Sequence, residues 1–208
     1  MRTIVLRKTV DPAAAALLKG GLAAVPTETV YGLSANGLDA AAVEKIYALK
    51  GRPPEKPVSL LVSGLDAAAS FCRNVPPEAG ILADAFWPGP LTMILEKSDL
   101  VPDIVTAGGA TVGIRCPDHP LTLELLRACG VPLATPSANL SGGPSPKTAE
   151  EVLAVFRGKI PYVIDGGPCA VGTESTIVDL TVSPPRILRQ GGLPRRAIEE
   201  VLGTEVRT

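Results

Sequence analysis

Aromatic residues make up 3% of this 208-residue chain, and it holds one histidine and one tryptophan. Each shortage removes a class of function. His119 is followed directly by Pro120, so a Ser-His-Asp or Cys-His catalytic arrangement is disfavoured and a zinc site lacks its usual ligands. The four cysteines (Cys72, Cys116, Cys129 and Cys169) are scattered, with no Cys-x-x-Cys pair. They read as reduced, packed thiols rather than a disulfide framework. So few aromatics offer no platform on which bases stack. A net charge of −1 argues against a general nucleic-acid coat, although 20 Lys and Arg can still gather locally. No run approaches the roughly 20 apolar residues of a membrane span. Met1–Arg7 has too little apolar content for a signal peptide. No Gly-x-Gly-x-x-Gly follows a strand. The expectation is a cytoplasmic protein without membrane association and without a protein-bound metal.

What is present is a chain 46% apolar, enough for a core of small and branched aliphatics. Short apolar strands alternate with Ala/Leu-rich helices. The pattern predicts strands at 3–6, 22–25, 58–62, 91–95, 111–115, 132–134, 162–164, 175–180 and 186–188. It predicts helices from Asp11 to Gly20, from Asp39 to Leu49, at 65–72, 77–86 and 120–129, from about Ser145 to Gly158, and at 194–202. Asp11 and Asp39 read as N-caps, Gly51 and Gly130 as stops, and Thr148 with Glu151 as a capping box. This is an α/β pattern with a mixed, twisted sheet flanked by helices. No linker or repeat divides it, so one domain is expected over 1–208, with a core at about 3–202 and a frayed tail at 203–208.

Polarity concentrates in a few irregular segments. Residues 134–147 carry four hydroxyls, an amide and a lysine among three prolines and two glycines. No helix or central strand runs through such a segment, which suits a binding loop. Residues 26–33 (Pro-Thr-Glu-Thr-Val-Tyr-Gly-Leu) and 50–56 (Lys-Gly-Arg-Pro-Pro-Glu-Lys) form two further clusters. Lys50-x-Arg52 and Ser137-x-Asn139 each place two polar side chains on one side of an extended segment. A point charge beside a planar fork suits a polyphosphate. A solvated basic helix end is the alternative for Lys50 and Arg52. Residues 142–148 are a near miss for a Walker A loop, because Pro146 has no amide hydrogen to give a phosphate. Arg115 ends an apolar strand, placed to hold a carboxylate or to make a structural ion pair. Residues 165–179 join two strands through a glycine-rich turn that brings Ser175 forward, and Arg189 ends another strand. Glu28 and Glu174 are acids available to assist a metal ion.

Six motifs, in order, resemble the YrdC/TsaC family of threonylcarbamoyl-AMP synthases in its short form. They are residues 26–33, Lys-Gly-Arg-Pro (50–53), Trp-Pro-Gly-Pro-Leu-Thr (87–92), Val-Gly-Ile-Arg-Cys-Pro (112–117), Pro-Ser-Ala-Asn-Leu-Ser-Gly (136–142) and Ser-Thr-Ile-Val-Asp (175–179). The resemblance implies a twisted α/β sheet with a large concave, positively lined cavity. It implies adenylyl transfer, in which L-threonine, bicarbonate and ATP (with Mg²⁺) give threonylcarbamoyl-AMP and pyrophosphate. The product would pass to tRNA threonylcarbamoyltransferase proteins that modify adenosine 37. Matching motif to motif implies ATP contacts at Arg52, Lys56, Thr111, Ser137, Ser145 and Arg189. Lys50 and Asn139 complete the catalytic signature with Arg52 and Ser137. Threonine contacts are implied at Thr29, Arg115, Thr135 and Ser175. Two positions depart from the family: Leu61 stands where many relatives carry histidine, and Lys56 where they often carry Asn or His. A tRNA- or double-stranded-RNA-binding module, a carbamoyl-adenylate-forming relative and a paralogue with another substrate are the competing readings.

Overall fold

The computed structural model describes all 208 residues. Eleven strands form one sheet. They are β1 (Ile4–Leu6), β2 (Ala23–Val25), β3 (Gly32–Asn36), β4 (Leu60–Leu61), β5 (Cys72–Arg73), β6 (Leu91–Lys97), β7 (Thr111–Arg115), β8 (Leu133–Ala134), β9 (Tyr162–Ile164), β10 (Thr176–Asp179) and β11 (Arg186–Arg189). The order is β1-β9-β2-β3-β8-β4-β7-β6-β10-β11, with β5 paired to β6. Parallel pairs such as β6–β10 mix with antiparallel ones such as β6–β7. Eight helices pack on the sheet: α1 (Asp11–Leu18), α2 (Ala40–Lys50), α3 (Leu65–Ala68), α4 (Pro77–Phe86), α5 (Asp103–Thr106), α6 (Pro120–Cys129), α7 (Ala149–Phe156) and α8 (Arg195–Leu202). No helix is long and apolar enough to cross a membrane.

Strand alternation divides the apolar residues into two layers. Leu33 and Ala35, Leu60, Leu91, Met93 and Leu95, Val112 and Ile114, and Val178 point to one face, where they join side chains of α2, α4, α7 and α8 in the main core. On the other face α1 and α6 pack together over a smaller cluster that includes Val25, Leu61, Leu133 and Ile164. No helix belongs to that second cluster beyond these two, so the opposite face of β6, β7 and β10 is free for other use.

Several expected elements differ from those observed. Gly32–Asn36 forms a strand that the sequence conceals, because Gly, Ser and Asn are poor strand formers. Antiparallel pairing on both sides, to β2 and β8, holds it extended. The strand expected at 58–62 shrinks to Leu60–Leu61, because Val58 N donates to Val105 O, outside the sheet. The helix expected at 65–72 gives way to a 3₁₀ turn at Ala69–Phe71, after which Cys72 and Arg73 pair with β6. The short α5 at Asp103–Thr106 was not foreseen.

Asp11 is the first helical residue rather than the cap; Val10 occupies the cap position and no side chain caps it. Asp39 does cap α2, accepting from Ala41 N and Ala42 N, and Gly51 closes it in the left-handed conformation. Thr148 accepts from Glu151 N as expected, but the Glu151 carboxylate reaches back one residue further, to Lys147 N at 2.6 Å. The tail is docked, not frayed. Val206 is fully buried, and Arg207 exchanges backbone bonds with Pro185 and Ile187 beside β11.

Candidate active site

The face of β6, β7 and β10 turned away from the main core carries Thr92, then Gly113 and Arg115, then Ile177, with Ser175 just before β10. Leu61 shares this face through its register with Arg115, and Arg189 through its register with Ile177. A polar hollow of about 180 Å³ lies there. It is smaller than the roughly 300–1,000 Å³ usual for ligand clefts. Lining side chains bond to one another around it: Arg189 to Ser175, and Ser175 to Thr92. Gly113, on the same face of β7 as Arg115, has no room for a side chain: a Cβ there would lie 2.8 Å from Oγ of the lining residue Ser59.

Three loops form the wall, and backbone bonds stitch them together. Residues 26–31 are the hairpin loop between β2 and β3. Leu33 N donates to Pro136 O, Ala138 N to Tyr31 O and Tyr31 N to Pro146 O, which zips this loop to the 134–147 segment. The glycine-rich 165–175 loop joins them through Val171 N to Glu28 O and Cys169 N to Lys147 O. The Tyr31 hydroxyl adds a bond to Gly167 O at 2.8 Å, and burial pushes its pKa up to about 12. Gly32 is required at this seam, because a Cβ there would come within 2.3 Å of Thr135 Cγ2.

Lys50 lies beneath the 134–147 loop rather than facing the hollow. Its Nζ, 3% exposed as a residue, donates to Ser137 O and Asn139 O at 2.5 Å each and to Asn139 Oδ1 at 3.1 Å. Those three bonds use all three ammonium hydrogens. Burial, with nearby Arg52, lowers its pKa to about 8. Asn139 Oδ1 also accepts from Ser137 Oγ at 2.6 Å, and Asn139 Nδ2 donates to Gly143 O. The Lys-x-Arg and Ser-x-Asn pairs are therefore linked by a buried network that fixes the loop's shape.

The arginines each keep donors in reserve. Arg115, 7% exposed, donates from Nε to Gly89 O and from Nη2 to Glu28 Oε1 at 2.6 Å. Glu28 in turn accepts from Asp118 N, so it is committed to this corner. Burial lowers the Arg115 pKa while Glu28 opposes the shift, and a guanidinium stays charged throughout. Three of its five N–H groups remain unspent, enough to grip a carboxylate. Arg52 is braced by the carbonyls of Lys56 and Pro57. Arg189 is braced by Ser175 O through Nε and Nη2, and its Nη1 lies 3.9 Å from Glu174.

Of the twelve residues singled out from sequence, Thr29, Arg52, Arg115, Thr135, Ser137, Ser175 and Arg189 line the hollow. Lys50, Asn139, Lys56, Thr111 and Ser145 do not. Ser145 reaches it indirectly, donating to the lining residue Glu174 at 2.7 Å. Thr111 lies on the same face of β7, past Gly113. Lys56 is exposed and contributes its carbonyl to Arg52 and to Tyr47. Ser59 lines the hollow unforeseen, because a lone hydroxyl near a strand carries no local signal; Thr27 and Thr92 also line it, within the 26–33 and 87–92 motifs but given no role there. The Arg115–Glu28 and Ser145–Glu174 pairs were equally invisible, each spanning dozens of residues.

Comparison with known proteins gives this geometry a family. The Sua5/YciO/YrdC family model, described as telomere recombination, matches residues 15–191. The chain belongs to the Sua5/YciO/YrdC family. Among curated relatives, a threonylcarbamoyl-AMP synthase of Pyrococcus abyssi is 48% identical over 195 residues, covering 94% of this chain and 57% of its own. A threonylcarbamoyl-AMP synthase of Bacillus subtilis is 46% identical over 192 residues, covering 92% and 56%. This Sua5/YciO/YrdC chain thus spans little more than half the length of these relatives. A crystal structure of P. abyssi Sua5 complexed with L-threonine superposes with a TM-score of 0.95 at 44% identity, covering 100% of this chain and 63% of that one.

Proposed function

We propose that this protein is an L-threonylcarbamoyladenylate synthase, an adenylyl-transferring enzyme that makes threonylcarbamoyl-AMP and pyrophosphate from L-threonine, bicarbonate and ATP. The observation that carries this reading is the convergence of Arg115, Arg52 and Arg189 with the hydroxyls of Thr29, Thr135, Ser137 and Ser175 in one hollow. Such a site is rich in cations and hydroxyls and poor in acid/base groups, which suits a reaction governed by positioning and charge neutralisation.

In this reading Arg115 holds the threonine carboxylate with its unspent N–H groups, and Thr29, Thr135 and Ser175 surround the rest of the amino acid. The threonine amine adds to bicarbonate with loss of water, giving an N-carboxylate. A carboxylate oxygen then attacks the α-phosphorus of ATP. The bond from that phosphorus to the bridging oxygen breaks, and pyrophosphate leaves. Arg52, Arg189, Ser137 and Ser145 bind the nucleotide, with Lys56 and Thr111 at its periphery. Lys50 and Asn139 act by holding the loop that carries Ser137. Residues able to hold a metal in a cage of three or more His, Cys, Asp or Glu side chains are not grouped anywhere. Mg²⁺ would therefore arrive with the triphosphate, carried mainly by phosphate oxygens and water.

The product would pass to tRNA threonylcarbamoyltransferase proteins for modification of adenosine 37, which makes the cytoplasm the compartment. Weak binding of tRNA or double-stranded RNA belongs to the same proposal and is tested by filter binding across a salt series. The catalytic proposal is tested by pyrophosphate release from ATP, with threonine and bicarbonate omitted in turn. Release that requires both supports it. Release that ignores threonine, or prefers another amino acid, overturns the assignment and points to Leu61, which sits in register with Arg115.

A further inference from the structure

Glu174 is the one carboxylate that lines the hollow, and it lies among the groups that an entering anion needs. It accepts the single hydroxyl hydrogen of Ser145 at 2.7 Å and stands 3.9 Å from Arg189 Nη1. The other Arg189 donors, Nε and Nη2, are spent on Ser175. The Ser145 hydrogen and Nη1 are thus the donors left at this end, and Glu174 faces both. A phosphate and a carboxylate are both anionic acceptors, so they cannot share one hydroxyl hydrogen and repel each other at this range. The backbone at this point is pinned, because Glu174 O accepts from Gly192 N at 2.9 Å. The side chain is 43% exposed, so rotation about its own torsions swings the carboxylate toward solvent without moving the loop.

We infer that Glu174 is a built-in surrogate anion, which holds the phosphate-binding end of the hollow through Ser145 and Arg189 and rotates out when a polyphosphate enters. This rests on the nucleotide reading of the hollow given above. The carboxylate keeps Ser145 and Arg189 ordered between turnovers, at the cost of some affinity. It also favours ligands with enough negative charge to displace it, a triphosphate over a single phosphate.

The test is isothermal titration of inorganic pyrophosphate, in metal-free buffer containing chelator, into the wild-type protein and the Glu174→Gln and Glu174→Asp variants. Aspartate keeps the charge but is one methylene shorter and loses Ser145. Folding of each variant is checked by its urea midpoint. Glu174→Gln is expected to bind pyrophosphate roughly tenfold more tightly. Glu174→Asp should fall between Gln and wild type. Equal or weaker binding by Glu174→Gln overturns the inference. So does an Asp variant identical to wild type, which would mean that only the overall field matters. A Gln variant that loses ATP affinity only when Mg²⁺ is added makes Glu174 a metal contact and also overturns it. Failure of pyrophosphate and ATP to bind any of the three proteins removes the anion site itself, and with it the function proposed above.

Discussion

Lys50 and Asn139 are 89 positions apart and meet in the interior, the ammonium donating to both the backbone and the side-chain oxygen of the asparagine. This contact turns two short motifs into one rigid corner. Removing the ammonium leaves the Ser137 and Asn139 carbonyls without their donor, while Asn139 Oδ1 keeps only Ser137 Oγ, a loss of about 1–3 kcal/mol or more. Lys50→Met is expected to lower the urea midpoint and, by letting the loop that carries Ser137 shift, to cut the rate of pyrophosphate release about 10²-fold. Lys50→Met turnover at the wild-type rate would show that the corner is dispensable.

The same lysine sets a pH dependence. Its folded pKa of about 8 lies below the roughly 10.4 of an unfolded lysine. Between those values the unfolded chain binds the extra proton, so the Lys50 contribution to stability rises with pH there rather than falling. Below pH 8 both states carry the proton and the burial penalty is fully present. The difference in urea midpoint between wild type and Lys50→Met, followed from pH 7.5 to 10, is expected to grow with pH.

Arg115 and Glu28 make the corresponding test of the end proposed to hold threonine. Arg115→Lys keeps the charge but loses the planar fork. It is expected to raise the KM for threonine at least tenfold while leaving that for ATP nearly unchanged. Glu28→Gln leaves a buried guanidinium without its counter-charge and should cost about 3–5 kcal/mol, read as a fall in unfolding midpoint.

At the loop seam, Gly32→Ala drives a methyl into Thr135 and is expected to cost about 1–3 kcal/mol and much of the activity. Thr135→Ser removes the clashing Cγ2 and keeps the hydroxyl that bonds Ser34. The double variant should recover both stability and turnover. Failure of the pair to do better than Gly32→Ala alone would place the strain elsewhere.

The docked tail gives a simpler prediction. Val206 is fully buried, and Val206 N donates to Glu199 Oε1 at 3.0 Å. Val206→Asp should lower the melting temperature by several degrees, consistent with a loss of about 2 kcal/mol in a domain of this size. The hollow lies on the far side of β10 from this contact, so KM values should hold.

Much of the fold was legible because local chemistry dictated it. Proline at the first turn fixed the starts of α4 and α6, glycine fixed the ends of α2 and α6, and aliphatic runs gave β7 and β9. The misses came where tertiary pairing overrode propensity. The Gly-Leu-Ser-Ala-Asn stretch of β3 is extended because neighbours pair with it, and the tail is ordered because β11 accepts it. At the site, charged and proline-bound clusters announced Arg52, Arg115 and Ser137. The spacing of Lys50 and Arg52 implied two groups facing one ligand, yet helix α2 ends at Lys50 and turns its ammonium inward while Arg52 continues outward.

The two faces of β7 have a consequence for how reliably the hollow assembles. Val112 and Ile114 fill the main core, while Arg115 lines the hollow. Sliding this strand by one residue against β6 would drive a guanidinium into aliphatic packing and present an isoleucine to the ligand. Misassembly of the hollow therefore carries a penalty of its own, and chains that reach the compact state arrive with Arg115 already aimed.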